Sequence, residues 1–327
     1  MLRKMSLLSV LLVVVVLVAA CGGSGGGAAP AAKPNTLTAV KVSATTLDPA
    51  AADWAKAPAL EIATKAAKEG NPDGPVVKLQ AIYDGNSIAI RGEWADPTES
   101  VKKPWVWDGS AFSQAGDEDR LLFTFPIQNN ADFASKGCTV ACHNTSENDK
   151  EWWMGSEDPA LTYDAWQAKS TRTLPAGYVD DKWWGVQEDP ADIESSRHGD
   201  AKDSGGEKNN ATEDGSGPAF MSPSGPGLQP IMAGEEVALD MAKLTAGDTI
   251  YGYLLEKPTG SRGDIEANAT WADGKWVVVL RRALSTGHDD DVQFSPPKQL
   301  PFGTAVLDGV GGMNHTIAPE VLTLEWK

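Results

Sequence analysis

The chain has 327 residues and a formal net charge of −17, so it is long enough to bury a real core as one large domain or two ordinary ones. An acidic chain with no basic stripe argues against nucleic acid as a partner, and three cysteines are too few to staple a disulfide scaffold of this length. Trp (12) outnumbers Phe (7), and 33 Gly with 21 Pro favour turns over long helices.

Residues 1–20 read as a secretory signal. Arg3 and Lys4 precede an apolar run over 7–18, and Ala19 and Ala20 precede Cys21. The run Leu17-Val18-Ala19-Ala20-Cys21 resembles a bacterial lipoprotein signal, which implies that Cys21 becomes a lipidated N-terminus anchored in a bilayer outside the cytoplasm. An ordinary signal peptide or an uncleaved anchor is the alternative. Residues 21–36 predict a flexible Gly/Ala/Pro linker, and 37–327 a single domain without a second hydrophobic core.

From residue 37 on, the texture predicts an all-β fold, an antiparallel, immunoglobulin-like two-sheet sandwich with long loops and a few short helices. Residues 76–83 and 87–94 alternate around Asp84-Gly85-Asn86, and 264–271 and 275–282 around Ala272-Asp273-Gly274; each pair predicts a hairpin. Further strands are expected at 121–127, 249–255 and 321–326, and short helices at 55–69 and 163–170. Residues 195–226 are polar and Gly-rich and predict a strand-free mobile loop containing His198.

The chemically loaded segment is Lys136-Gly137-Cys138-Thr139-Val140-Ala141-Cys142-His143. Cys-x-x-Cys-His attaches haem c covalently, with the His as proximal iron ligand, but here three residues separate the cysteines. The spacing leaves three readings: a variant c-type haem site, a local Cys138–Cys142 disulfide, or a thiolate–His143 metal site lacking a fourth ligand.

Motifs in one order along the chain resemble a known family. They are Leu47-Asp48-Pro49 with Trp54; the first hairpin followed by Asp96-Pro97-Thr98; Asp119-Arg120-Leu121; the Cys138-to-His143 element; Asp164-Ala165-Trp166-Gln167-Ala168-Lys169 with Arg172-Thr173; Gly177-Tyr178-Val179-Asp180-Asp181; Leu284-Ser285-Thr286-Gly287; and Phe302-Gly303-Thr304-Ala305 with His315. Over most of residues 45–325 the chain resembles the ethylbenzene-dehydrogenase-related haem-binding family. That domain is also found as the haem subunit of dimethylsulfoxide-reductase-like molybdoenzymes. The resemblance implies a sandwich whose loops enclose haem at one end, a C-x-x-x-C-H attachment element, and electron transfer rather than catalysis. The sequence departs from the family where Gln167 stands in place of a frequent His and Ala168 in place of an aromatic.

Within that resemblance, Cys138 and Cys142 would tether haem c and His143 would be the proximal ligand, with b-type binding as the variant. Met154 is the first candidate for the sixth ligand. His315, in the Gly311-Gly312-Met313-Asn314-His315 turn, is the alternative, with Met313 beside it; Met and Lys ligation in b-haem members makes Lys169 a remote one. His198 and His288 are expected to be solvated. Trp105, Trp107, Trp152, Trp153, Trp183 and Trp184 are expected to be core mass. Asp180-Asp181 and Asp289-Asp290-Asp291 are expected on turns and solvated faces, with calcium as the other reading. The acidic surface would dock a basic redox partner, a molybdoenzyme or another cytochrome. The competing function is a haem-free carbohydrate-binding lipoprotein with a Cys138–Cys142 disulfide.

Overall fold

A computed structural model describes residues 33–142, 154–189, 191–192, 195–201 and 204–327. The signal, Cys21 and most of the expected linker therefore lie outside the described residues, as do His143, Trp152 and Trp153.

The fold is all-β. Its main strands are β1 (Thr36–Lys41), β2 (Leu60–Ala63), β3 (Val76–Tyr83), β4 (Ser87–Ala95), β5 (Arg120–Pro126), β6 (Tyr163–Lys169), β7 (Asp180–Trp184), β8 (Arg197–Gly199), β9 (Glu266–Ala272), β10 (Lys275–Ala283), β11 (Leu300–Leu307), β12 (Thr316–Ile317) and β13 (Leu322–Trp326). They follow one hydrogen-bonded path, β8-β7-β6-β5-β11-β13-β1-β3-β4-β10-β9, with β2 on β3 and β12 on β11. Strand β11 joins the two halves, because Leu300–Phe302 pair with β13 and the next five residues, 303–307, with β5. Neighbours are antiparallel except that β1 runs parallel to both β13 and β3.

The two halves pack face to face. Val77, Leu79, Ile88, Ile90, Trp94, Val278 and Leu280 from one side meet Leu121, Phe123, Phe125, Trp166 and Phe302 from the other in a single buried cluster. Fully burying such a side chain contributes about 1.5–3 kcal/mol. Gly92 on β4 marks the closest approach: a Cβ there would lie 2.5 Å from Leu121 Cδ2 on β5, so the sheets meet at this point only without a side chain.

Both expected hairpins form, with registers Val77↔Trp94 and Trp271↔Trp276. The second turns through Asp273 and Gly274, both at positive φ, which the Asp-Gly pair accommodates.

Four expectations fail. Residues 163–170 form strand β6, not a helix, and 55–69 hold a 3₁₀ turn (Ala52–Lys56), β2 and the short strand Lys65–Ala66. The span 195–226 contains β8 and the strands Lys208–Asn209 and Phe220–Met221, with Asn210 and Met221 buried. There is also a second core: Trp105, Met221, Ile231, Ile250, Tyr251, Tyr253 and Leu255 pack together beside the sandwich. Strands of two or three residues carry it, too short to show a period.

Candidate functional site

Along β5 the odd residues Leu121, Phe123 and Phe125 enter the main core. The two-residue period then turns Arg120, Leu122 and Thr124 to the opposite face, where they line a small cavity of about 80 Å³ that is partly continuous with solvent. Gln167 of β6 and Gly303, Ala305 and Leu307 of β11 extend the same wall. Cys138, Met154, Arg197, His315 and Ile317 close it. The cavity thus sits on the outer face of a sheet, not at an end of the sandwich.

Helices α1 (Ala131–Lys136) and α2 (Thr139–Cys142) bring Cys138 to this wall. Asn130 caps α1 by accepting from Phe133 N (3.0 Å), and its amide donates to Tyr163 Oη (2.9 Å), fixing the helix on β6. Gly137 ends α1 at φ 73°, a left-handed turn that a side chain would strain, and the chain re-enters helix at once with Cys138 buried beneath it. Cys138 packs with Phe133, Ala141, Tyr163, Ala165 and Trp184, and Met154 lies against the same cluster. Gly155 N donates to Ala141 O at 2.7 Å, so the chain on either side of 143–153 is stitched together at the cavity. The backbone of Cys142 belongs to α2; its side chain and that of Met313 lie outside the described residues.

Gly303 is where β11 touches Cys138. A Cβ there would lie 2.8 Å from Cys138 Cβ and 3.3 Å from Sγ. Gly303→Val is expected to cost about 1–3 kcal/mol through overpacking and to displace the thiol from the wall. Gly92→Ala overpacks the sheet interface and leaves the cavity alone. Urea unfolding should show both variants destabilised. A Gly303→Val variant as stable as the wild type would refute the contact.

His315 is buried, 9% exposed, and its Nδ1 lies 2.5 Å from the Gly312 carbonyl. A carbonyl only accepts, so Nδ1 holds the proton and the lone pair is on Nε2. Burial pushes the imidazole pKa down despite that hydrogen bond, which keeps the ring neutral. A neutral imidazole oriented through its other nitrogen is the form that binds a metal. Arg197 lies with its guanidinium 5.9 Å from the Trp184 ring, and Arg120 donates to Asp117 Oδ1 at 2.6 Å. Among the described residues, no Trp, Tyr or Phe lines the cavity.

Cys138, Met154 and His315 are therefore brought together from three distant segments, with Gln167 beside them. Lys169 is not. It is buried and bonded to Asp180 as part of a network that includes Arg262, Glu207 and Lys182. His288 is exposed as expected, whereas His198 is half-buried and stacks on Trp183, centroids 4.0 Å apart. Trp105 and Trp184 are buried, and Trp107 and Trp183 half-buried. Asp180, Asp181 and Asp291, expected on solvated faces, are buried. The sequence reading gave no cavity role to Arg120, which it placed only within the Asp119-Arg120-Leu121 motif, and missed Arg197, which no local motif distinguishes from a surface cation.

The sequence profile described as ethylbenzene dehydrogenase matches residues 51–316, most of the chain and every described side chain of the cavity except Ile317. The chain belongs to the ethylbenzene dehydrogenase family. No curated protein matches this family member individually. Among solved structures, a candidate carbohydrate-binding protein from Bacteroides uniformis is 11% identical, with TM-score 0.41, covering 89% of this chain and 99% of that one. A family 9 carbohydrate-binding module from Caldicellulosiruptor kristjanssonii in complex with cellotriose is 9% identical, TM-score 0.34, covering 89% and 93%. The same module with glucose gives 8%, 0.34, 89% and 95%. Similarity at this level says nothing about what a member of the ethylbenzene dehydrogenase family binds.

Proposed function

We propose that this member of the ethylbenzene dehydrogenase family is an extracytoplasmic, lipid-anchored electron-transfer protein that binds haem against the wall beneath Cys138. The observation that supports this is the convergence of a thiol, a thioether and a neutral, oriented imidazole in one cavity.

The donor set suits haem. Leu122, Ala305, Leu307 and Ile317 give an apolar wall, and Arg120 and Arg197 offer cations to an acidic edge in an otherwise acidic protein. Cys138 and Cys142 would form the thioether tethers, and His143, adjacent to Cys142 in sequence, would be the proximal ligand. His315 is the better-supported distal ligand because its tautomer places a lone pair on Nε2. Met154, the sequence's first choice, lines the same cavity and is the rival. When bound, haem supplies a one-electron iron centre whose potential follows its axial ligands. The chain's own residues hold it, exclude water through the apolar wall, and present an acidic exterior to a basic redox partner such as a molybdoenzyme or another cytochrome.

The test is expression with a cytochrome c maturation system, then denaturation. Haem should remain with the polypeptide and should be lost on denaturation from the double variant Cys138→Ala/Cys142→Ala. Haem that binds but is extractable from the wild type indicates b-type binding, and a colourless product refutes the reading. His315→Ala should turn a low-spin spectrum high-spin, while Met154→Ala should leave it low-spin; the reverse would give the ligand role to Met154.

A further inference from the structure

A second group of side chains converges on the far edge of the same half of the sandwich. Asp200 follows β8, and Asp290 and Asp291 lie in the loop after β10. One carboxylate oxygen from each lies within 4.8 Å of the others. Asp181, on β7, adjoins them, and Asp291 also groups with Asp164 and Asp181.

Acidic residues often cluster on a surface for no further reason, but these are not on the surface. Asp291 is 1% exposed, Asp200 4% and Asp181 0%. Among the described residues, both oxygens of each of the three lack any hydrogen-bond partner. Six orphaned carboxylate oxygens in one buried place are exceptional, because a buried carboxylate costs several kcal/mol unless it is paired, hydrogen-bonded or metal-bound. Arg282 answers only part of this charge. Its Nη1 donates to Asp164 at 2.8 Å and stays 3.9 Å from both Asp181 and Asp291. The contrast is the group Asp96, Asp119 and Asp308. There Asp119 accepts from Ser100 N, Gly309 N and Trp276 Nε1, so its oxygens are already committed.

We propose that Asp200, Asp290 and Asp291 bind one calcium ion, with Asp181 behind them. Hard carboxylate oxygens suit Ca²⁺, and two oxygens bound at 2.3–2.6 Å to a common ion can be no more than about 5 Å apart, the spread these atoms already have. Asp290 is half-buried and opens the site to solvent, giving the ion an entry path and room for water ligands. The irregular spacing and the mixture of loop and strand donors fit the flexible coordination of Ca²⁺ better than the strict octahedron of Mg²⁺. The site would lock the end of β8, which follows the cavity residue Arg197, to the loop after β10.

The experiment uses the full chain purified through EGTA. CaCl₂ should bind with a stoichiometry of one and raise Tm by about 5 °C at saturating concentration, while MgCl₂ at the same concentration does much less. Asp200→Asn and Asp290→Asn should each weaken calcium binding at least about tenfold. In EGTA both variants should be no less stable than the wild type, since neither Asp200 nor Asp290 makes a side-chain hydrogen bond or ion pair among the described residues, so lost binding cannot be misread as lost folding. A wild type with the same Tm in EGTA and in CaCl₂, and no calorimetric binding, would overturn the proposal and leave the carboxyls to share protons instead. Variants that bind calcium like the wild type would equally overturn it.

Discussion

Arg282→Met is expected to destabilise the protein by about 3–5 kcal/mol, because it strips the central cation from a buried group of acids. Arg282 is fully enclosed between the sheets. It donates to Asp164 Oδ2 at 2.8 Å and to the Val292 carbonyl, and its guanidinium stacks 4.9 Å from the Trp166 ring and 5.1 Å from Phe294. Even with that cation beside it, burial pushes Asp164 up to about 6. Met fills much of the same volume, so the loss measures charge and hydrogen bonding more than packing. Urea unfolding in EGTA, which removes any contribution from a cation, is the measurement. Arg282→Lys should fall between the two, since one ammonium cannot reach both Asp164 and the Val292 carbonyl. Adding Asp164→Asn to Arg282→Met should recover part of the loss. A Met variant within about 1 kcal/mol of the wild type would show that the aspartates are already neutral and that Arg282 is not their counter-charge.

These buried charges explain why parts of the fold were legible in the sequence and others were not. The hairpins β3–β4 and β9–β10 were legible because their core positions alternate along much of each strand and their turns are built from Asp, Gly or Asn, even though Ile82, Ala89 and Val279 are also buried in a second cluster. Strand β6 was not. Six of its seven residues are buried, since one face meets the main core while the other lies under the cavity and the ion-pair network, and Asp164 and Lys169 sit among apolar neighbours. With both faces covered the two-residue period vanishes, and a short mixed run reads as a helix. Asp180 and Asp181 read as a turn for the same reason: local composition cannot show that Lys169, Arg262 and Arg282 arrive from distant segments to meet them.

The cavity was legible in part. Cys138 was marked by its motif, and Met154 and His315 were singled out, but nothing local says that 138, 154 and 315 share a wall. That follows from β11, which passes under Cys138 at Gly303, and from β12, which pairs with β11 just after His315. The choice between Met154 and His315 shifted because the Gly312 carbonyl sets the imidazole tautomer, a relation that no sequence pattern encodes.

The second large effect is expected at Asp180, the acid that holds Lys169 away from any ligand role. Its carboxylate accepts from Lys169 Nζ and, at 2.5 Å, from Arg262 Nε, with Lys182 Nζ 3.7 Å away. Burial opposes its ionisation, but Lys169, Lys182 and Arg262 together override burial and hold the carboxyl well below the usual range. Lys169, with a single close carboxylate and two other cations nearby, is pushed down by burial to about 8 and remains mostly charged at neutral pH. Asp180→Asn should therefore cost about 3–5 kcal/mol at pH 7, since it leaves a buried ammonium without its counter-ion. The sign of the pH dependence follows from the depressed pKa. The ion pair's contribution is complete above the unfolded value near 4 and is lost as pH falls from there towards the folded value. The stability difference between the wild type and Asp180→Asn should accordingly be constant from pH 7 to 5 and narrow below pH 4. A difference that persists unchanged to pH 3 would mean that Asp180 acts by hydrogen bonding alone, and that Lys169 does not depend on its charge.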